Sequence, residues 1–463
     1  MATWLQKWEP EDPAFWQQQG SKRAWRTLGI TTFSLIFSFA SWFVLSAMVV
    51  RMPGIGFKFD TMQLFWLTAL PGLAGGTFRL IHSFLIPIYG SRHIITVSTL
   101  IKLVPMIWLF QAVQDLSTPY WHFIIIALLC GFGGGDFSSF MPSTSLYFPK
   151  KLQGMALGLQ AGIGNFGVSL TQFITPWIIG FAAFGGLAGG SQVFAKGETS
   201  KDIWLQNAAF WYVPFLALTG IFCWFLLRSV PVKATFREQL DIFKCKHTWY
   251  CTLTYVMTFG SFAGFSAAFP LMIKELYGDF PNAPDPLKYA FYGPLIGSAM
   301  RALMGKATDR WGGSIFTQLS GTGLIVCCLS LILGGYLHPT GMEQFPGFVA
   351  LMLGIFFFTG IGNASTFRQY PIIFAYNPRQ AAGVIGFTAA VAAYGPFVFS
   401  LLIGKSISLT GGAGAFFWGA IAFFALACWV NWHFYTRKGG ERCDYGTSGG
   451  TWWDTAKSTW AGG

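Results

Sequence analysis

Two arginines stand where apolar runs should not hold them. Arg79 falls in Gly75-Gly76-Thr77-Phe78-Arg79-Leu80 and Arg301 in Ser298-Ala299-Met300-Arg301-Ala302, each inside a long hydrophobic stretch. A guanidinium keeps its charge and is a planar fork that bonds oxyanions through paired N–H donors. Placing one at the centre of a bilayer costs about 2.5–3.5 kcal/mol, so two of them need a counter-charge. Of the 18 acidic residues only Asp136 lies within such a stretch, and one carboxylate cannot neutralise both. One reading pairs each arginine with a carboxylate for packing. The other, which the charge count favours, makes the missing partner an anionic substrate. With little else ionised nearby, a small oxyanion suits the pair better than a multiply charged or bulky polar molecule.

The elements that must position these arginines are membrane helices. Hydrophobic residues make up 53% of the 463 and charged residues 10%, with 56 glycines and a mean hydropathy of +0.50. A soluble domain carries about 25% charged residues. That balance excludes a soluble enzyme, a DNA-binding module and a disordered scaffold. Twelve apolar runs long enough to span a bilayer lie at 26–50, 61–88, 93–114, 119–146, 155–184, 207–228, 248–273, 287–308, 314–337, 347–375, 381–406 and 412–435. The predicted fold is an all-α membrane protein of twelve transmembrane helices.

The net charge of +12 reflects topology and not nucleic acid, because Lys and Arg lie between apolar runs and form no long basic block. With the N-terminus inside, nineteen of the 30 basic residues fall in cytoplasmic segments, seven outside and four within helices. This bias predicts a multi-pass protein of the cell inner membrane with both termini cytoplasmic. The expected organisation is a cytoplasmic segment at 1–25, a six-helix half at 26–228, a linker at 229–247, a second half at 248–436 and a cytoplasmic tail at 437–463. The Gly-rich stretch 185–206 reads as a mobile outer loop. The tail, with Trp452, Trp453 and Trp460, reads as disordered or interfacial. The eight cysteines form no C-x-x-C and the six histidines show no ligand spacing, so no disulfide, metal or cofactor is expected.

The halves repeat. Gly131, Gly133, Pro149 and Gly154 match Gly360, Gly362, Pro378 and Gly383 at an offset of 229, and each proline precedes a basic residue, Lys150 or Arg379. Arg79 and Tyr89-Gly90 match Arg301 and Trp311-Gly312 at an offset of 222. Both sets keep helix order, second with eighth and fourth with tenth. Two such six-helix halves are the plan of major-facilitator transporters, with substrate held between them at mid-membrane. Glycines Gly158, Gly162, Gly164 and Gly167 line the fifth helix around Asn165, a lone polar donor. Gly386 lies in the looser eleventh-helix counterpart, Ala389-Ala390 to Gly395. Small residues let helices approach and slide, which assigns these positions to close packing and gating. No Lys-Ser/Thr follows them, so they are not a phosphate loop.

The chain resembles the nitrate/nitrite porter family of the major facilitator superfamily over nearly its whole length. The resemblance is carried by Trp8-Glu9-Pro10-Glu11-Asp12-Pro13-Ala14-Phe15-Trp16, by Ala156-Leu157-Gly158 through Gly164-Asn165-Phe166-Gly167-Val168-Ser169, by Tyr255 and Thr258-Phe259-Gly260-Ser261-Phe262, and by Gly305-Lys306-Ala307-Thr308-Asp309-Arg310-Trp311-Gly312-Gly313. The resemblance implies that Arg79 and Arg301 clamp nitrate, with Phe39, Phe137, Asn165, Tyr255, Phe259 and Phe367 as the other pocket residues. Flat, weakly hydrated nitrate suits rings above and below it. The chain departs from the family pattern at Gln160, in its Ala-rich second signature, at Arg368, and at Lys102 and Asp136.

The expectation is a secondary transporter that moves nitrate or nitrite across the inner membrane by rocker-switch alternating access, as nitrate/nitrite exchange or nitrate/proton symport. Its expected partners are those two anions and the lipid bilayer, with no nucleic acid, and it is expected to be a monomer. Asp136, with Lys102 as a possible partner, is either a proton-coupling site or a structural pair. The rivals are a proton-coupled carrier of another small monovalent anion and an anion sensor without flux. A membrane enzyme would need a polar catalytic cluster, and no H-E-x-x-H, G-x-S-x-G or paired-carboxylate motif appears.

Overall fold

A computed structural model describes residues 4–196, 199–231 and 237–444. Among the described residues the chain makes twelve helical passes. They are α1 (Ser21–Met48), α2 (Thr61–Tyr89), α3 (Ser91–Ala112), α4 (Tyr120–Tyr147), α5 (Lys150–Ile178) and α6 (Asn207–Leu226) in the first half. The second half holds α7 (Lys246–Tyr277), α8 (residues 287–311), α9 (Gly313–Leu333), α10 (Phe345–Ile373), α11 (Pro378–Ala392, resuming at Gly395–Thr410) and α12 (Gly414–Thr436). Among the described residues, ten helices are long and apolar enough to cross a membrane. The other two passes are α5, diluted by Gly, Gln and Asn, and α8, which is interrupted at Phe291 and Met304.

Local chemistry sets several ends. Asp60 and Gln63 form a reciprocal capping box at the start of α2. Gly90 and Gly312, at equivalent turns of the repeat, take φ of 79° and 93°, a region that L side chains avoid. Besides α8 and α11, other passes that the sequence reads as continuous are interrupted: α3 breaks at Lys102, α4 at Asp136, and α7 passes through a π turn at Val256–Gly260.

The repeat is visible in the packing. Gly131 lies against Ala74 and Gly75 of α2, and Gly360 lies against Gly297 and Met300 of α8. Gly133 lies against Ser38 of α1, and Gly362 against Thr258 of α7. A side chain at any of these glycines would meet backbone or a packed neighbour. At the end of the bundle away from the termini, the halves are joined by Arg51 Nη2–Asp285 Oδ2 at 2.5 Å and Thr61 Oγ1–Glu275 Oε2 at 2.6 Å.

Two stretches expected to be loose are ordered. Within 185–206, Gln192–Lys196 (β1) and Thr199–Ile203 (β2) form an antiparallel hairpin, and Phe194 packs on Gly54. The start of the tail folds back as well, because buried Asp444 accepts the backbone N–H of Gly313 at 2.7 Å and an N–H of Arg368 at 2.7 Å. Trp452, Trp453 and Trp460 lie outside the described residues, as do linker residues 232–236; the rest of the linker includes a 3₁₀ turn at Arg237–Lys244. All eight cysteines are free thiols.

Candidate functional site

The π turn of α7 carries Phe259, a fully buried ring. A π turn inserts one residue into the helical ladder and rotates the residues beyond it. Tyr255 just before it and Phe259 within it stack at 5.4 Å and 7°. Both arginines lie over this one ring: Arg79 Cζ is 5.1 Å from the Phe259 centroid and Arg301 Cζ is 5.9 Å. Residues 222 positions apart, from opposite halves, thus share a single aromatic ring.

The other rings close around them. Arg79 also lies over Phe137 at 4.8 Å, Phe39 at 5.8 Å and Trp42 at 5.2 Å. Phe367 covers Arg301 at 4.8 Å and meets Tyr255 edge-on at 5.2 Å. Phe39 contacts Phe137 at 6.2 Å, and Phe137 contacts Phe367 across the two halves at 6.3 Å. Ring faces are negative and stabilise cations by about 0.5–2 kcal/mol each, so the cage holds guanidinium charge without cancelling it.

The arginines are held differently. Arg79 is fully buried; its Nε donates to the Gly134 carbonyl at 2.7 Å and its Nη1 to the Ala389 carbonyl at 2.8 Å. The second bond ties α2 to α11 in the opposite half. Nη2 of Arg79, Nη1 of Arg301 and Oη of Tyr255 have no hydrogen-bond partner among the described residues. Arg301 lies within electrostatic reach of both Arg79 and Tyr255.

The counter-charge question has a geometric answer. Asp136 is buried in an ion pair with Lys102, also buried, and accepts Ser38 Oγ at 2.5 Å. The Lys102 ammonium also donates to Ser98 O at 2.8 Å. Lys102 therefore offsets the one carboxylate that, among the described residues, lies in electrostatic reach of Arg79, and two guanidinium charges remain. Arg368, adjacent to Phe367, does not add to them, since it pairs with Asp444 and lies 3.6 Å from Asp309. Gln160 ties three helices, donating to Thr31 Oγ1 at 2.8 Å and accepting Thr144 Oγ1 at 2.7 Å.

Asn165 on α5 is fully buried, and neither side-chain polar atom has a partner among the described residues. Its neighbours on α5 fix its direction. Gly164 and Gly167 lie against Leu35 and Phe39 of α1, while Gly162 looks towards Ala302 of α8. At about 100° per residue, Asn165 points between α1, which carries Phe39, and α8, which carries Arg301. The same contacts correct the glycine expectation. Gly164 and Gly167 are closely packed, but nothing lies within 4 Å of a side chain added at Gly158, and Gly162 and Gly386 have only ordinary contacts, at 3.6 Å and 3.9 Å. Spacing along a helix does not say which glycines face a neighbour.

Sequence reasoning missed two residues here. Trp42 follows Phe39 by one helical turn and donates Nε1–H to the Pro71 carbonyl at 2.7 Å while covering Arg79. Only its i+3 relation to Phe39 could have flagged it among 20 tryptophans. The other is Asn363 of α10, fully buried with its amide unpartnered.

Comparison with known proteins bears on this site. Residues 31–377 match the Major Facilitator Superfamily. The chain is 58% identical over 441 residues to a probable nitrate/nitrite antiporter, NarK2, of Thermus thermophilus, covering 95% of this chain and 98% of that protein. It is 36% identical over 454 residues to the nitrate/nitrite transporter NarU of Escherichia coli (strain K12), covering 94% and 96%. Among solved structures, a point mutant of the nucleoside transporter NupG superposes with a TM-score of 0.60 at 12% identity, covering 88% of this chain and 98% of that one, a likeness of fold alone.

Proposed function

Because this chain belongs to the nitrate/nitrite porter family of the major facilitator superfamily, we propose that it carries nitrate and nitrite across the membrane, exchanging one for the other through the site between Arg79 and Arg301. The observation that carries the site assignment is the sharing of the Phe259 ring by two arginines whose one nearby carboxylate is already offset by Lys102. A monovalent oxyanion supplies the missing negative charge. The flat faces of Phe39, Phe137, Phe259 and Phe367 would confine a planar ion, and Tyr255 and Asn165 would donate to its oxygens.

Exchange follows from the electrostatics. Two fixed positive charges resist reorientation without an anion, so a returning anion lowers the barrier that an unloaded site would face. The closed Lys102–Asp136 pair supports exchange over proton symport, because it leaves the carboxylate already neutralised. Close packing of α5 on α1 at Gly164 and Gly167 holds the half 26–228 together, while Gly162 of α5, facing Ala302 of α8 in the half 248–436, supports the α5–α8 contact as a sliding surface of alternating access. The nineteen-to-seven distribution of basic residues supports cytoplasmic termini in the inner membrane, and the fold needs no second copy to complete the site.

The test is counterflow of labelled nitrate into proteoliposomes loaded with nitrite, with formate and small carboxylates as competitors. Trans-stimulation by nitrite, with weak competition by formate, is expected. Equal competition by formate would move the substrate to another monovalent anion, and saturable nitrate binding without flux would make the protein a sensor.

A further inference from the structure

Asn363 is fully buried in α10, and both its Nδ2 and its Oδ1 lack hydrogen-bond partners among the described residues. A buried amide with all its capacity unused is unfavourable unless something else engages it.

Its neighbours fix where it points. Three residues earlier, Gly360 lies against Gly297 and Met300 of α8; one residue earlier, Gly362 lies against Thr258 of α7. Four residues later, Phe367 covers Arg301 and meets Tyr255. Positions i and i+4 share a helix face, and about 100° per residue turns Asn363 into the angle between α7 and α8. That is the level of Phe259 and Arg301.

The repeat gives an independent bearing. Gly131 and Gly133 match Gly360 and Gly362, so the counterpart of Asn363 is Gly134. Gly134 is the residue whose carbonyl receives Arg79 Nε at 2.7 Å. The place beside the arginine that is bare backbone in the first half carries an amide side chain in the second.

We propose that Asn363 is a substrate-contacting residue that donates its Nδ2–H to an oxygen of the oxyanion held by Arg301. The proposal rests on the anion-exchange reading above. It places one amide on each side of the clamp, Asn165 from α5 and Asn363 from α10. Arg79 already gives Nε and Nη1 to backbone carbonyls, so further donors are needed to surround an anion with three oxygens.

The experiment uses the full-length protein with three variants, Asn363→Leu, Asn363→Asp and Asn363→Ala. Nitrate KM is measured by counterflow, and thermal unfolding is followed with and without nitrate. Loss of a hydrogen bond to a charged ligand should raise the nitrate KM of Asn363→Leu about tenfold or more. Its unfolding temperature without nitrate should not fall, since an unpartnered amide has been removed. Asn363→Asp should abolish nitrate-induced stabilisation and raise the unfolding temperature without nitrate, because the new carboxylate would pair with Arg301. A purely structural role would not produce that opposite pair of shifts. If Asn363→Leu does not fold, Asn363→Ala is judged by the same KM criterion. Nitrate KM within twofold of wild type in the folded Leu or Ala variant overturns the proposal. If the wild type itself binds no nitrate, the anion-exchange reading fails instead, and the unfolding temperature of Asn363→Asp without nitrate still reports whether the amide faces Arg301.

Discussion

Arg79 and Arg301 occupy equivalent places in the repeat, yet replacing each with lysine should have different consequences. Lysine keeps the charge and loses the fork. At Arg79 the fork is part of the fold, with Nε on the Gly134 carbonyl and Nη1 on the Ala389 carbonyl of the other half. Hydrogen bonds from a charged donor contribute about 1.5–3 kcal/mol each, and one ammonium can replace at most one of these two. Arg79→Lys should therefore cost about 1.5–3 kcal/mol of stability without ligand, plus about 1–3 kcal/mol for the carbonyl left unpaired. Arg301 makes no hydrogen bond to a backbone carbonyl among the described residues, so Arg301→Lys should leave that stability nearly unchanged. Both variants lose a paired contact to the anion, worth about 1.5–3 kcal/mol, or roughly 10- to 100-fold in Kd. The assay is denaturation of the purified variants with and without nitrate, beside a nitrate binding isotherm. Equal loss of ligand-free stability in the two variants would refute the assignment of Arg79 to a dual role. An unchanged nitrate Kd in Arg301→Lys would refute the clamp.

The packing and the charges lead to three further outcomes. Gly167→Ala should impair exchange, because a methyl group there collides with the Ile36 carbonyl and lies 2.9 Å from Phe39 Cβ, whereas Gly158→Ala, with nothing within 4 Å, should exchange normally in the same counterflow assay. Asp136→Asn leaves Lys102 buried without its counter-charge and should lower stability by about 3–5 kcal/mol, while nitrate-dependent proton entry into proteoliposomes stays at the wild-type level; loss of a wild-type proton signal in this variant would instead make Asp136 the coupling site. Burial pushes the Asp444 carboxyl up to about 6 from an ordinary 3.8, against the opposing pull of Arg368 and two backbone N–H groups. A carboxyl raised in the folded state contributes stability that is complete below 3.8 and is lost as pH rises through about 6, so unfolding temperature should fall across that window in the wild type and less so in Asp444→Asn.

The features legible in the sequence were those that interrupt an apolar run. Arg79, Arg301, Lys102 and Asp136 are visible because a bilayer tolerates such groups only for a reason. The repeat was visible because glycines at close crossings must keep their spacing, as Gly131 and Gly360 do against α2 and α8. Trp42 was hidden because an aromatic residue in an apolar helix looks like any other until its ring is found over a guanidinium. Asn363 was overlooked although it carried a signal, since it breaks the glycine pattern where its counterpart is Gly134. The ordered tail could not be foreseen from residues 437–444, because the contact that orders it is supplied by Arg368 and the start of α9, far away in sequence. The hairpin at 192–203 was masked by its glycine-rich approach and polar residues, whose pairing depends on register and not on composition.

The most direct measurement is an experimental structure of the protein in saturating nitrate. The two-arginine clamp predicts planar density against the Phe259 ring, within hydrogen-bond reach of Arg79 Nη2 and Arg301 Nη1. Ordered arginine side chains with no anion density between them, or nitrate bound elsewhere in the molecule, would contradict it.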